Sequence, residues 1–262
     1  MTLRFGIIAA TVLVAACTGD PPAVAQASSA CEAHNFENSR FTVCSAKGGS
    51  IEVRTSGTDG NPFRSFVALE TAIGTRARHI AFAMNAGMFD EDGRAIGLLI
   101  EQGKQTHAIN RRKGGGNFHL LPNGVFLVRS GGKAEVVKTE DFAASKDILF
   151  ATQSGPMLVV DGKLHPSFEA DGQSRHVRNG VGIAPDGTPL FVISNDEVSF
   201  GKLARFFRDG LNVHNALYFD GSVSSLWDPG NGRRDAFSPI GPMVVVFKSA
   251  ASAPDRADPA TP

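Results

Sequence analysis

Short apolar runs separated by turn residues fill the chain from Cys31 onward, and this alternation limits the fold more than any other feature. Such runs predict strands, whereas long stretches with helical periodicity are scarce. No internal repeat and no linker interrupts the chain between Cys31 and Lys248, so we predict one α+β domain with a mixed or antiparallel sheet and a few packed helices. The predicted strands are Ile51–Arg54, Ser65–Ala68, His79–Met84, Leu98–Glu101, Gly124–Arg129, Ile148–Thr152, Met157–Val160, Gly180–Ala184, Leu190–Ile193, Ala216–Phe219 and Met243–Phe247.

Two segments have helical character. The clearer one is Phe200–Asp209, with Ser199 as N-cap, apolar residues at i, i+3 and i+4 spacing, and Gly210 as the stop. The second is Glu70–Arg78, although Gly74 weakens it. We expect the first helix to dock on a sheet through its apolar face.

The N-terminus has the composition of a secretory signal. One Arg is followed by an apolar run, Phe5 to Ala16, which is too short to span a bilayer. Lipidation at Cys17, within a lipobox-like sequence, is favoured over ordinary cleavage at the small residues of 23–27, and both stay open. We therefore predict a signal region over 1–27, a domain over 28–248, a disordered tail over 249–262, and an extracytoplasmic location in the periplasm or cell envelope.

Export also bears on the cysteines. The chain has three, and with Cys17 in the signal region only Cys31 and Cys44 are left to pair in an oxidising compartment. A disulfide closing this short loop would stabilise the N-terminal segment by roughly 2–3 kcal/mol. The alternative is two unpaired, buried cysteines.

Charge and linear motifs exclude several function classes. Lys and Arg total 26, as do Asp and Glu, so no net field attracts nucleic acid or an anionic membrane, and we expect membrane contact only through a lipid anchor. The sequence has no CxxC pair, HExxH, calcium loop or GxSxG elbow. We predict no cofactor and no metal ligand, while scattered Asp and Asn residues leave a divalent metal open.

Most carboxylates have a simpler interpretation as turn residues. The pairs that tolerate positive φ predict hairpin turns, which removes their aspartates from the catalytic candidates. These pairs are Asp92-Gly93, Asn123-Gly124, Asp161-Gly162 and Asp186-Gly187.

Four segments instead end an apolar run on polar, flexible residues, where sites are commonly built. Together they offer two arginines suited to phosphate, Arg175 and Arg178, and hydrogen-bonding groups for sugar hydroxyls, Asn85 and Ser154. A phosphate leaving group needs little proton donation, so one carboxylate could suffice for breaking an anomeric bond to phosphate. Asp220 is our candidate for that carboxylate.

Five blocks carry a resemblance across Ala81 to Val246. In order along the chain they read AFAMNAGMFDEDGRAIGLLIEQGK, GNFHLLPNGVFLV, ATQSGPMLVVDGKLH, RHVRNGVGIAPDGTPLFVIS and NALYFDGSVSSLW. Five ordered blocks are far more specific than any one of them. The chain resembles the phosphodiester glycosidase domain family, and its bacterial envelope members in particular.

The resemblance implies a site, position by position. The matching residues are Asn85, Gly87, Phe89, Gly155, Pro156, Arg178, Gly182, Asp220, Gly221 and Ser224. Where the family commonly has two further glycines after Asp-Gly, this chain has Ser222 and Val223, which bears on how closely a substrate approaches the loop.

We expect an extracytoplasmic hydrolase that cleaves the glycosidic bond of a sugar-1-phosphodiester or phosphorylated glycan. Asp220 would act as base or stabilise the oxocarbenium-like centre, Arg178 would hold phosphate, and Asn85 would orient sugar or nucleophile. The predicted substrate-binding residues are Arg175, Ser154, Gly87, Gly155, Gly221 and Ser224. The alternatives are a glycan-binding lipoprotein without turnover and a phosphodiesterase that breaks the phosphorus–oxygen bond.

Overall fold

The structure is a computed structural model that describes residues 29–249. The predicted signal region, the lipidation of Cys17 and the predicted tail beyond Ser249 lie outside these residues and stay predictions. Within the described part of the chain, no helix is long and apolar enough to cross a membrane.

Strands dominate the described residues, and two short α-helices accompany them. The helices are α1 (Phe66–Ile73) and α2 (Phe200–Arg205). The strands are β1 (Cys31–Phe36), β2 (Ser39–Ser45), β3 (Ser50–Arg54), β4 (Ile80–Asn85), β5 (Leu99–Glu101), β6 (Lys104–His107), β7 (Gly124–Arg129), β8 (Ala134–Lys138), β9 (Ile148–Ser154), β10 (Met157–Val160), β11 (Lys163–Leu164), β12 (Asn179–Ile183), β13 (Pro189–Ser194), β14 (Ala216–Tyr218), β15 (Leu226–Asp228), β16 (Arg233–Arg234) and β17 (Met243–Phe247).

The strands form three sheets. One has seven strands in the order β1-β2-β13-β12-β14-β10-β11, and two have five strands each, in the orders β16-β15-β4-β17-β3 and β6-β5-β9-β7-β8. Every strand pairing in residues 29–249 is antiparallel. The prediction of one strand-rich α+β domain is confirmed, and the sheets are antiparallel rather than mixed.

A cluster of phenylalanines joins the three sheets. Phe82 on β4, Phe126 on β7, Phe191 on β13 and Phe219 just after β14 are all fully buried. Their ring centroids lie 5.4–6.5 Å apart, mostly edge to face. Because each sheet contributes to this one core, the three sheets hold one another in place and form a single domain.

The helices cover outer faces of the sheets. Ser199 caps α2 as predicted, its hydroxyl accepting a hydrogen bond from the Lys202 N–H at 3.1 Å. The α-helix ends at Arg205 and continues as a π-helical turn to Gly210. The apolar side of this segment packs with residues of β2, β10, β13 and β14, so the predicted docking on a sheet is confirmed.

One predicted strand is wrong. Ser65–Ala68 is the start of a helix, because the Ser65 hydroxyl accepts a hydrogen bond from the Ala68 N–H and caps α1. The helix therefore begins four residues before the predicted Glu70, and Gly74 ends it with a φ of 62°. The other predicted strands are present with shifts of one or two residues at their ends.

Three of the four predicted turns are present, and one is wrong. Gly93, Gly162 and Gly187 have φ values of 86°, 76° and 84°, as the Asp-Gly pairs predict. The turn at Asn123-Gly124 is wrong, because Gly124 opens β7 and Asn123 is buried. The Asn123 amide donates instead to the Phe118 carbonyl at 2.7 Å.

The predicted disulfide is present between Cys31 and Cys44. The two cysteines are direct partners in the register of β1 and β2, and β2 pairs in turn with β13. The bond therefore attaches the edge strand β1 to the large sheet.

Candidate active site

The centre of the site is the amide of Asn85 at the end of β4, which is only 1% exposed. Its nitrogen donates to the Asp220 backbone carbonyl at 2.7 Å. Its oxygen accepts from the Asn179 amide at 2.9 Å and from the Ser225 N–H at 2.8 Å. One side chain thus joins the ends of three chain segments, and both ends of its amide are occupied by protein groups.

The backbone of Asp220 is held from a second side. Its N–H donates to the Ala86 carbonyl at 3.0 Å, so Asp220 bonds to the turn after β4 through both backbone groups. The Ser224 hydroxyl lies 3.0 Å from the Val177 carbonyl and 3.2 Å from the Asn179 side-chain oxygen, which ties the far end of the loop to β12. The position of Asp220 is therefore set by hydrogen bonds from neighbouring elements.

The carboxylate of Asp220 is much less constrained than its backbone. The side chain is half-buried and accepts the Ser222 N–H at 3.1 Å, which caps the 3-10 turn Gly221–Val223. Burial raises the pKa of Asp220, and the hydrogen bonds from Ser222 only partly oppose this effect. No basic side chain in residues 29–249 contributes to lowering this pKa. The result is a carboxyl group suited to exchanging protons nearer neutral pH.

Tyr218 lies beside the loop that begins at Asp220. Its side chain is 2% exposed, and its hydroxyl receives a hydrogen bond from Arg178 Nη1 at 3.0 Å. A methyl group built on Gly221 would overlap this hydroxyl, so the loop requires glycine there for close approach. Burial raises the pKa of the tyrosine, against the lowering effect of Arg178 and of the Gly221 backbone N–H.

Arg178 faces the protein interior. The residue is 1% exposed, and its guanidinium lies 3.7 Å from the Phe200 ring centroid. It donates to the Val198 carbonyl at 2.9 Å and to the Ser174 carbonyl at 3.0 Å, besides the Tyr218 hydroxyl. These protein acceptors occupy all three guanidinium nitrogens. The arrangement does not favour the predicted phosphate contact, because the charged group has no exposed face.

Arg175 differs from Arg178 although both lie in one segment. Its side chain is 40% exposed and forms an ion pair with Asp171 at 2.6 Å. Exposed pairs of this kind contribute little and exchange readily. Ser174, the residue before it, contacts Arg178, which places this exposed arginine on the segment that borders the site.

The predicted residues on and after β9 lie in tightly packed surroundings. A methyl group on Gly87 would overlap the Thr152 hydroxyl, and one on Gly155 would lie 2.6 Å from the Asn123 Cβ. Ser154 is fully buried. The hydroxyls of Ser154 and Thr152 have no hydrogen-bond partner among the described residues. This side of the site is packed closely enough to exclude side chains at both glycines.

Hydrogen bonds join Asn85 to Asp220 and Ser224 to Gly221, and Asn179 links the two pairs. Ser154 ends β9, Gly155 follows it, and Gly87 packs against it from the turn after β4. Three residues of the network, Asn179, Tyr218 and Ser225, were not among the predicted site residues. A signal for Tyr218 existed, since it stands in the apolar run that leads to Asp220, two residues before it. Asn179 follows the predicted Arg178 directly in the sequence.

Within residues 29–249, no group of three or more His, Cys, Asp or Glu side chains is placed to hold a metal ion. The site as described is built from one carboxylate, amides, hydroxyls and arginines.

Comparison with known proteins gives three findings. The family model of phosphodiester glycosidases matches residues 78–247. The zebrafish N-acetylglucosamine-1-phosphodiester alpha-N-acetylglucosaminidase catalytic domain, auto-inhibited by its pro-peptide, has a similar fold, with a TM-score of 0.57 and 17% identity over 83% of this chain and 81% of that chain. The uncharacterized Escherichia coli K12 protein YigE is 40% identical over 151 residues.

The match to YigE covers 58% of this chain and 59% of YigE, so it spans less than two thirds of that relative. The family model matches the continuous range 78–247. It contains the polar network from Asn85 through Asn179 and Asp220 to Ser225, and most of the strands of all three sheets. The chain belongs to the phosphodiester glycosidase family.

Proposed function

We propose that the protein hydrolyses the glycosidic bond of a sugar-1-phosphodiester, releasing the free sugar and a phosphomonoester. The observation that carries this proposal is the state of Asp220: a carboxyl group with a rigidly held backbone, a raised pKa and one backbone donor, on a loop within the residues that match the family. A positioned group of this kind fits general base catalysis, which is worth about 10²–10⁴ in rate.

The chemistry balances with one carboxylate. Water attacks the anomeric carbon, and Asp220 accepts the proton that the attacking water loses. The bond between the anomeric carbon and the phosphate oxygen breaks, and the electron pair leaves with the phosphate. Because a phosphate leaving group is already weakly basic, no opposed carboxylic acid is needed, unlike in most glycosidases.

The two arginines take different roles in this proposal. Arg175 is exposed at the border of the site and is the residue that would meet the phosphate, exchanging its ion pair with Asp171 for one with the substrate. Arg178 is a positioning residue, because its buried guanidinium holds the Tyr218 hydroxyl against Gly221.

Asn85 is a second positioning residue. Its amide bonds to the Asp220 carbonyl, the Asn179 amide and the Ser225 N–H, so it orients the carboxylate through the backbone rather than touching the sugar. Ser224 acts similarly by tying the loop to β12.

An extracytoplasmic location is part of the proposal. The disulfide between Cys31 and Cys44 supports it, because disulfides persist in oxidising compartments. The signal-like N-terminus predicted from the sequence points the same way.

The test uses purified protein and an α-N-acetylglucosamine-1-phosphodiester, with release of free sugar and of phosphomonoester measured separately. We expect wild type to release both in equal amounts and Asp220→Asn to release about 10²–10⁴ times less. Absence of release by wild type, or equal release by the variant, would contradict the proposal.

Isotope-labelled water distinguishes the bond that breaks. If the carbon–oxygen bond is cleaved, the label enters the sugar. Label found in the phosphate would show cleavage of the phosphorus–oxygen bond and would exclude a glycosidase.

A further inference from the structure

A cavity of about 630 Å³ opens near the start of β4, at the opposite end of this strand from Asn85. Its lining includes Ile80, Trp227 and the basic residues Arg78, Arg234 and Lys248. At about 3.4 Å per residue, the length of β4 separates Ile80 from Asn85 by roughly 17 Å. None of the residues that line the cavity belongs to the hydrogen-bonded network around Asp220.

Positive charge dominates the walls of this cavity. Four basic side chains line it, Arg78, Arg233, Arg234 and Lys248, against one carboxylate, Glu70. A concave surface concentrates the field of such charges more than a flat one does. The cavity is also within the range of about 300–1,000 Å³ that is usual for small-ligand sites.

Two of the four cations already have carboxylate partners. Arg234 pairs with Glu70 at 2.8 Å and stacks 4.3 Å from the Trp227 ring centroid. Arg233 pairs at 2.8 Å with Asp235, a residue outside the lining.

The other two, Arg78 and Lys248, are exposed. Neither forms an ion pair with a carboxylate of the described residues, and the Arg78 side chain donates a hydrogen bond to the neighbouring His79 ring at 3.0 Å. An anion in the cavity would supply the missing counter-charge.

We propose that this cavity binds a phosphate group. An arginine fork with a nearby lysine matches the geometry and charge of phosphate oxygens. Two sources have this chemistry: a phosphate further along a polymeric substrate, or a free phosphomonoester. The proposal does not depend on hydrolysis at Asp220, since it rests on a separate set of residues.

The protein contains a reporter for this cavity. Trp227 is the single tryptophan of the chain and lies beneath the stacked Arg234 guanidinium. Its fluorescence should change when a bound anion attracts the cationic side chains around the indole ring. Using the full chain with Asp220→Asn lowers any turnover during the titration by the expected factor of about 10²–10⁴. Binding is then measured independently of the proposed function.

The experiment titrates that protein with inorganic phosphate and, separately, with a short glycerol phosphate oligomer, at constant ionic strength. We expect a saturable change in tryptophan fluorescence and at least tenfold weaker binding when Arg78→Gln and Lys248→Gln are combined. Lys146→Gln, at an exposed lysine remote in sequence from the cavity, is the matched control and should bind as the parent does. Circular dichroism checks that each variant is folded.

The two probes also separate the two sources. Much tighter binding of the oligomer identifies a neighbouring phosphate of a polymer, and similar binding of both identifies a free phosphate. The proposal is overturned if neither probe gives a saturable change, or if the double variant binds both probes as tightly as the parent.

Discussion

Two aspartates eight residues apart have the same local geometry and very different surroundings. Asp220 comes two residues after β14 and Asp228 is the last residue of β15, and each caps a 3-10 turn. Each accepts the N–H two residues further on, from Ser222 and Gly230, at 3.1 Å in both cases. From the backbone alone the two positions would be judged equivalent.

Their carboxylates differ in what else they bind. Asp228 is 1% exposed and accepts two further hydrogen bonds, from the Ser29 hydroxyl at 2.8 Å and the Asn231 amide at 2.7 Å. Within residues 29–249, Asp220 has no such side-chain donors beyond its own turn, and its pKa is raised by burial. A fully bonded carboxylate stabilises the fold, whereas a partly bonded one is left to react.

The largest expected effect is on activity after replacing each aspartate by asparagine. Asp220→Asn should lower kcat/KM by about 10²–10⁴, because the amide cannot accept the proton. Asp228→Asn should retain most activity and instead lower the free energy of unfolding by about 1.5–3 kcal/mol, because the amide nitrogen that replaces one carboxylate oxygen would face a donor, either Asn231 on one side or Ser29 and Gly230 on the other. Hydrolysis assays and urea unfolding measure the two effects.

The comparison would fail if the two variants exchanged their effects. A folded Asp228→Asn protein without activity, next to an active Asp220→Asn protein, would show that the bonded carboxylate is the reactive one.

The next largest effects test the different roles proposed for Arg178, which positions Tyr218, and Arg175, which would bind phosphate. Arg178→Lys should lower the free energy of unfolding by about 1–3 kcal/mol, because lysine cannot reach Val198, Ser174 and Tyr218 together, and kcat should fall more than KM rises. Arg175→Gln should raise KM and leave stability within about 0.5 kcal/mol. If Arg178→Lys changed KM alone with stability intact, Arg178 would be the phosphate ligand that the sequence suggests.

The site shows where sequence reasoning succeeds and where it stops. The proximity of Asn85 and Asp220 could be predicted because both end an apolar run and both match the family's blocks. The inward orientation of the Arg178 side chain could not be predicted, because an arginine next to a strand is equally consistent with a ligand-binding residue and with a buried structural residue. Only the fold reveals Phe200 and Tyr218 around its guanidinium.

The fold has the same limits. Apolar strands such as β7, β10 and β17 were predicted with their observed bounds, because their sequences are continuous and buried. Seven strands of residues 29–249 were missed, namely β1, β2, β6, β8, β11, β15 and β16. For β1 and β6 the reason is that exposed edge strands carry polar side chains that resemble loops. The start of α1 was missed because its capping serine lies inside a run with strand-like composition.

A smaller effect on activity is expected from Tyr218→Phe. The variant removes the hydroxyl that Arg178 and the Gly221 loop share, so we expect about a tenfold loss in kcat, with KM nearly unchanged. Stability should fall by about 1–2 kcal/mol, because a buried guanidinium loses one acceptor. The acidic limb of the pH–rate profile should also move if the loop repositions Asp220, a shift that a purely structural role elsewhere would not cause. An unchanged kcat and pH profile would remove Tyr218 from the site.

The smallest expected effect is a pH-dependent difference in stability between wild type and Asp220→Asn. Burial raises the pKa of Asp220 in the folded protein, so the folded state holds its proton more tightly than the unfolded state does. Below the ordinary aspartate pKa of about 3.9, both states are protonated and wild type and variant should differ least. As pH rises above that value, the unfolded state ionises first and wild type loses stability relative to the variant, until the raised folded pKa is passed.

Urea unfolding across this range should therefore find Asp220→Asn the more stable protein at neutral pH, whereas Asp228→Asn should be less stable than wild type there. If Asp220→Asn were instead less stable at neutral pH and the deficit vanished in acid, the ionised carboxylate would have a stabilising partner, and the contrast between the two aspartates would be wrong.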